Sequence, residues 1–113
     1  MPPTDRVRLQ HLLDALREAT SLVQARSRAD LNADHVLCLA LTRLLEIIGE
    51  AARGLSANTR SHHPEVPWAK MIGMRDRLVH GYYDINLDVV WQTITTDLPT
   101  VGPLIQAILN SHP

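Results

Sequence analysis

An all-α fold, an antiparallel bundle of four to five helices, is predicted by three features of this 113-residue sequence. Leucine-rich apolar positions recur at helical spacing in several long segments. β-branched and polar residues nowhere alternate over more than a few positions. Short polar links carry the caps and prolines that separate helices. The length suits one compact domain over residues 1–113. With 45% apolar and 20% charged residues, the composition is that of an ordinary globular protein, not a disordered tail. Phenylalanine is absent, so the core is expected to be aliphatic.

Taking 100° per residue, Leu9, Leu12, Leu13, Leu16, Ala19 and Val23 share one arc, which predicts a first helix over about residues 5–26 with Thr4 or Asp5 as its cap. The segment "SRADLNAD" reads as a link, with caps on offer at Asp30, Asn32 or Asp34. A second helix over about 34–55 places Leu41, Leu44, Leu45, Ile47, Ile48, Ala51, Ala52 and Leu55 on a broad face. Opposite that face runs a stripe of Arg43, Glu46, Glu50 and Arg53, either a solvated surface laced with ion pairs or a surface that meets an arginine of another helix or subunit. In the connector "SANTRSHHPEVPW", Ser56 can cap a short helix and Pro64 and Pro67 punctuate the approach to the next long one. His62 and His63 are adjacent, so a helix would point them about 100° apart, and they read as loop histidines, not as a metal pair. The third helix is predicted from Trp68 to His80, stopped by Gly81. The fourth begins near Leu87 or Asp88, puts Leu87, Trp91, Ile94 and Leu98 on one face, breaks at Pro99 and resumes to about Asn110.

Cys38 is the only cysteine, and its apolar flanks Val36, Leu37, Leu39 and Leu41 suggest a buried thiol. No apolar run approaches the roughly 20 residues needed to span a bilayer, and "MPPTDRVRL" lacks a hydrophobic signal region, so no membrane association and a cytoplasmic location are expected. The net charge is −1, yet residues 60–80 hold Arg60, Lys70, Arg75 and Arg77 against Glu65 and Asp76, whereas no Lys or Arg follows residue 80.

That positive stretch ends in "RDRLVHGYYD", residues 75–84. Its residue types can close a helix, because cations complement a helix C-terminus and tyrosines seal a bundle end. Were RNA the substrate, the same residue types would suit its cleavage. Cleavage needs a group that exchanges protons near neutral pH, which imidazole does, and a fixed cation against the charge building on phosphorus, which guanidinium is. On one helix, however, Arg75 and His80 point about 140° apart, while Asp76 and His80 are nearly aligned. Asp76 is therefore the natural partner to orient His80, and Arg75 meets His80 only if a two-fold dimer sets two such helix ends side by side.

The stretches "LLEIIGEAARGLS" (44–56) and "HPEVPWAKMIGMRDRLVHGYYDINLDVVWQTITTDLP" (63–99) resemble the HepT-like family of HEPN-domain proteins. The resemblance covers nearly the whole chain, most specifically residues 34–99. It implies a dimeric helical ribonuclease toxin of a type VII-like pair with a minimal nucleotidyltransferase antitoxin. The family motif, Arg, four residues, His, any residue, Tyr, falls on Arg75, His80 and Tyr82. By resemblance, Arg75 and His80 carry metal-independent RNA cleavage through 2′-hydroxyl attack, with Asp76 and Arg77 in support and no cofactor. The resemblance also implies Tyr82 as the residue that the antitoxin modifies by AMP transfer, which would put anionic phosphate beside Arg75. Two features depart from or blur the pattern: Asp76 stands where the family usually has Asn, and Tyr83 adjoins Tyr82. The alternative is a non-catalytic helical partner that binds a nucleotidyltransferase.

Overall fold

A computed structural model describes residues 1–81 and 84–112. Among the described residues there is no strand. The order is α1 (Pro3–Leu22), α2 (Asp30–Ala33), α3 (His35–Gly54), α4 (Ala57–His62), α5 (Trp68–His80), α6 (Leu87–Gln92), a π-helical turn (Thr93–Asp97) and α7 (Leu98–Ser111). The predicted all-α bundle is observed, with the short helix expected after Ser56 present as α4 and one further short helix, α2, in the first link.

The leucine arc of α1 is the centre of the core. Leu9, Leu12, Leu13, Leu16 and Ala19 are buried with Leu41, Leu45, Ile48 and Ala52 of α3 and with Ile94, Val101, Ile105 and Ile108 from the last helical run. Cross-links show α1 antiparallel to both neighbours. The Arg6 guanidinium donates to the carbonyls of Leu109 and His112, while Arg17 Nη2 reaches Gln106 Oε1 at 2.8 Å. Asp5 at the start of α1 meets Ser56 just beyond the end of α3.

Local chemistry sets most boundaries. The Asp34 side chain accepts from Leu37 N–H at 3.0 Å and caps α3, and that hydrogen bond, with Arg26 beside it, holds the carboxyl below the usual range. Ser56 caps α4 by accepting from Thr59 N–H at 3.2 Å. Asn86 caps α6 by accepting from the N–H groups of Asp88 and Val89. Before α5, Trp68 Nε1 donates to the His63 carbonyl at 2.9 Å, which seats a buried indole at the start of the helix.

Several expectations are corrected. Asp5 does not cap α1: it is 2% exposed and accepts from Ser56 N–H, Ser56 Oγ and Thr59 Oγ1, the last two at 2.7 and 2.6 Å. Burial would raise its pKa, but the hydrogen bonds from Thr59 and Ser56, with the Arg8 charge nearby, outweigh it and hold the carboxyl below its ordinary value. The link "SRADLNAD" contains the one-turn helix α2, because Leu31 finds a buried place against the core. Pro99 does not break the last helix. The wider π turn precedes it, with Thr93 and Thr95 hydroxyls donating to the carbonyls of Val89 and Trp91, and α7 continues through Pro99 and Pro103. Gly81 does end α5, but at φ −117°, not in a left-handed conformation; its N–H reaches the Arg77 carbonyl at 2.7 Å. Cys38 is only half-buried, and its neighbours Val36 and Leu39 are exposed at 76% and 56%.

No helix among the described residues is long and apolar enough to cross a membrane.

Candidate functional site

The polar motif begins inside α5 and is set against α3 by a glycine. Gly49 is buried in the middle of α3. A Cβ there would lie 2.7 Å from the Met71 carbonyl and 3.0 Å from Arg75 Cγ, so only hydrogen at this position lets the two helices approach so closely. Met71 and Leu78 fill the buried face of α5, and the aliphatic stem of Arg75 lies directly on Gly49.

This contact delivers the Arg75 guanidinium to the charged stripe of α3. Arg75 Nη2 is 2.9 Å from Glu50 Oε2, and Arg75 Nη1 is 3.1 Å from Asp76 Oδ1. The same Asp76 oxygen lies 3.8 Å from Arg53 Nη1. Four side chains of alternating sign thus link two helices. The Arg75 side chain is 19% exposed, whereas those of Glu50, Asp76 and Arg53 are about half-exposed or more. Of the two readings of the α3 stripe, its C-terminal half faces an arginine of another helix. Its N-terminal half holds only the exposed Arg43–Glu46 pair at 3.1 Å.

The expected Asp76–His80 pairing is not observed. Both residues are described, but no hydrogen bond joins them; Asp76 turns to Arg75 and Arg53, whose charges do not depend on protonation. α5 remains helical through His80, so the angular offset between Arg75 and His80 persists, and His80 is exposed at the helix end. Arg77 does not join the Arg75 cluster. It lines a groove of about 460 Å³ with Lys70, Gly73 and Met74, opposite Gln92, Thr93 and Asp97 around the π turn. Tyr82 and Tyr83 lie outside the described residues.

Gly49 was not anticipated as part of this site, and Glu50 was placed only in a stripe that could meet an arginine. The available signal was a glycine interrupting the apolar face of a long helix next to a carboxylate in the stripe. The adjacent histidines go separate ways: His62 ends α4 with Nδ1 2.7 Å from the Asn58 carbonyl, and His63 Nδ1 is 3.3 Å from Glu65 Oε1. Among the described residues no group of three or more His, Cys, Asp or Glu is arranged to hold a metal ion.

Comparison with known proteins agrees with this helical architecture. The profile of the family described as Ribonuclease HepT-like matches residues 12–108. A protein of Caldanaerobacter subterraneus subsp. tengcongensis, provisionally named an RNase, is 38% identical over 109 residues, covering 96% of this chain and 97% of its own. Probable ribonuclease HepT of Thermococcus cleftensis is 36% identical over 93 residues, covering 79% of this chain and 84% of its own. A Methanocaldococcus jannaschii protein, also provisionally named an RNase, is 31% identical over 100 residues, with 86% and 92% covered. No solved structure gives a significant match. The chain belongs to the ribonuclease HepT-like family.

Proposed function

We propose that this protein is a ribonuclease toxin that cuts RNA as a two-fold dimer, with Arg75 of one copy and His80 of the other at a shared site. The observation that carries this reading is the geometry of α5. Arg75 is tethered to α3 through Glu50, while His80 stands exposed at the helix end on a different side. A second copy related by a two-fold axis can supply the missing member of the pair. Exposed apolar side chains on the same helices favour such a partner: Val36 and Leu39 continue the stripe of Glu50 along α3, and Val79 precedes His80 on α5.

In this mechanism the His80 imidazole moves the proton of the RNA 2′-hydroxyl. The 2′-oxygen bonds to phosphorus, the bond from phosphorus to the 5′-oxygen breaks, and that oxygen leaves with a proton. The products are a 2′,3′-cyclic phosphate and a 5′-hydroxyl. Arg75 offsets the charge that accumulates on the phosphoryl oxygens. No step calls on a metal or cofactor. A minimal nucleotidyltransferase antitoxin silences the site by transferring AMP to Tyr82, which adds anionic phosphate next to Arg75 and blocks RNA.

The test is incubation of purified, unmodified protein with RNA beside His80→Ala and Arg75→Ala, with intact mass and oligomeric state measured for each. Each substitution is expected to slow cleavage by about 100-fold or more. Undiminished cleavage by both variants sinks the proposal. A second reading, a non-catalytic partner of the nucleotidyltransferase, is favoured by the two carboxylates already on Arg75. Tight binding to that enzyme with no cleavage of RNA by unmodified dimer would select it.

A further inference from the structure

We propose that α3 supplies two positioning residues to the Arg75 site: Glu50, which aims the guanidinium, and Arg53, which offsets the charge of Asp76. The assignment rests on the ribonuclease reading above, and it starts from the order of charges across the two helices.

Glu50, Arg75, Asp76 and Arg53 form a chain in which anion and cation alternate. Arg75 uses a different terminal nitrogen for each carboxylate, Nη2 toward Glu50 and Nη1 toward Asp76. The Asp76 contact is a hydrogen bond and the Glu50 contact is a close ion pair, so the guanidinium is drawn to a carboxylate on each of two terminal nitrogens. The stem is fixed as well, because it lies on Gly49 with little exposure. The arginine is therefore held at both ends. Its Nε–H and outer Nη–H donors engage no other described residue, which leaves a preset edge for phosphate oxygens.

Charge supplies the second half of the argument. Two carboxylates beside one guanidinium leave a local charge of −1, which repels RNA. Arg53, the fourth member, returns the sum to zero. Its reach to Asp76 is long, 3.8 Å, and both groups are half-exposed, so it acts through field more than through a tight bond. Asp76 Oδ1 is shared between the two arginines, so Arg53 also weakens the hold of Asp76 on Arg75. Glu50 then sets direction, and Arg53 keeps Arg75 attractive to a phosphate.

The experiment compares cleavage of a mixed-sequence single-stranded RNA by wild-type protein, Glu50→Ala, Glu50→Gln and Arg53→Ala, the last also in an Asp76→Asn background. In parallel, the Arg75 Nε–H signal is followed by nitrogen-edited NMR in the absence of RNA. Glu50→Ala is expected to lower kcat about tenfold with KM little changed and to broaden or shift the Arg75 signal. Glu50→Gln, which keeps the shape but removes the charge of the ion pair, is expected to lose about as much as Glu50→Ala. Arg53→Ala is expected to raise KM about threefold beside Asp76 and to have no further effect beside Asn. Wild-type protein that cuts RNA while Glu50→Ala cuts equally well with its Arg75 signal unmoved overturns the aiming role. An equal Arg53→Ala effect in both backgrounds overturns the charge role. Wild-type protein that leaves RNA intact overturns the ribonuclease reading itself, whereas the NMR arm separately reports whether Glu50 restrains Arg75.

Discussion

The carboxylates of Asp5 and Asp76 each reach partners on a neighbouring element, but they sit in opposite surroundings. Asp5 is 2% exposed and is satisfied by neutral donors from Ser56 and Thr59. Asp76 has a side chain 48% exposed and is satisfied by two arginines. A buried carboxylate with a full set of hydrogen bonds makes a stiff joint, since any loss leaves donors stranded away from water. A half-exposed ionic chain adds little to stability, because water screens it and competes for every member. On the proposed reading it holds Arg75 with one edge of the guanidinium left for a phosphate. The two clusters therefore divide the work: one ties the start of α1 to the α3–α4 junction, and the other presents a cation.

Breaking the first cluster is expected to have the largest effect on folding. Asp5→Ala strands Ser56 N–H, Ser56 Oγ and Thr59 Oγ1 and should cost about 2–4 kcal/mol in urea unfolding, with activity per folded molecule unchanged. The same cluster predicts an acid limb. Because the folded pKa of Asp5 lies below its ordinary value, its stabilisation is complete above the unfolded pKa of about 4 and is lost as pH falls through the lower, folded value. Unfolding midpoints measured across this acid range should fall more gently for Asp5→Asn than for wild type.

The helix contact beneath the second cluster comes next in size. Gly49→Ala drives a Cβ into the Met71 carbonyl and the Arg75 stem and should cost about 1–3 kcal/mol while also reducing cleavage. Gly73, also in α5, faces open space, so Gly73→Ala should stabilise by about 0.5–1 kcal/mol. Thermal midpoints of the two variants moving in the same direction would contradict the assignment of Gly49 to close packing. The smallest change is expected from Arg43→Ala: its pair with Glu46 is solvated, and unfolding should shift by under about 0.5 kcal/mol.

How far the site could be read in advance depended on the range of the interaction concerned. Trp68–His80 was legible as a helix because its prolines, its apolar spacing and Gly81 act within a few residues. The offset between Arg75 and His80 followed from the same local geometry. By contrast, Asp76 looked like a partner for His80 because the two are four residues apart, yet it bonds to Arg75, which Glu50 of α3 also holds, and it lies near Arg53 of α3. Asp5 misled in the same way. At a helix start it has the form of a cap, yet Ser56 and Thr59, more than fifty residues away, take its oxygens.

The sequence by itself determined the long helices, most of their buried faces and ends, and the spacing of Arg75 and His80, because periodicity, capping and proline chemistry are properties of short segments. Tertiary structure alone decided which charges meet. That choice depends on the register of α5 on α3, and the register depends on one glycine whose missing Cβ lets Arg75 reach Glu50.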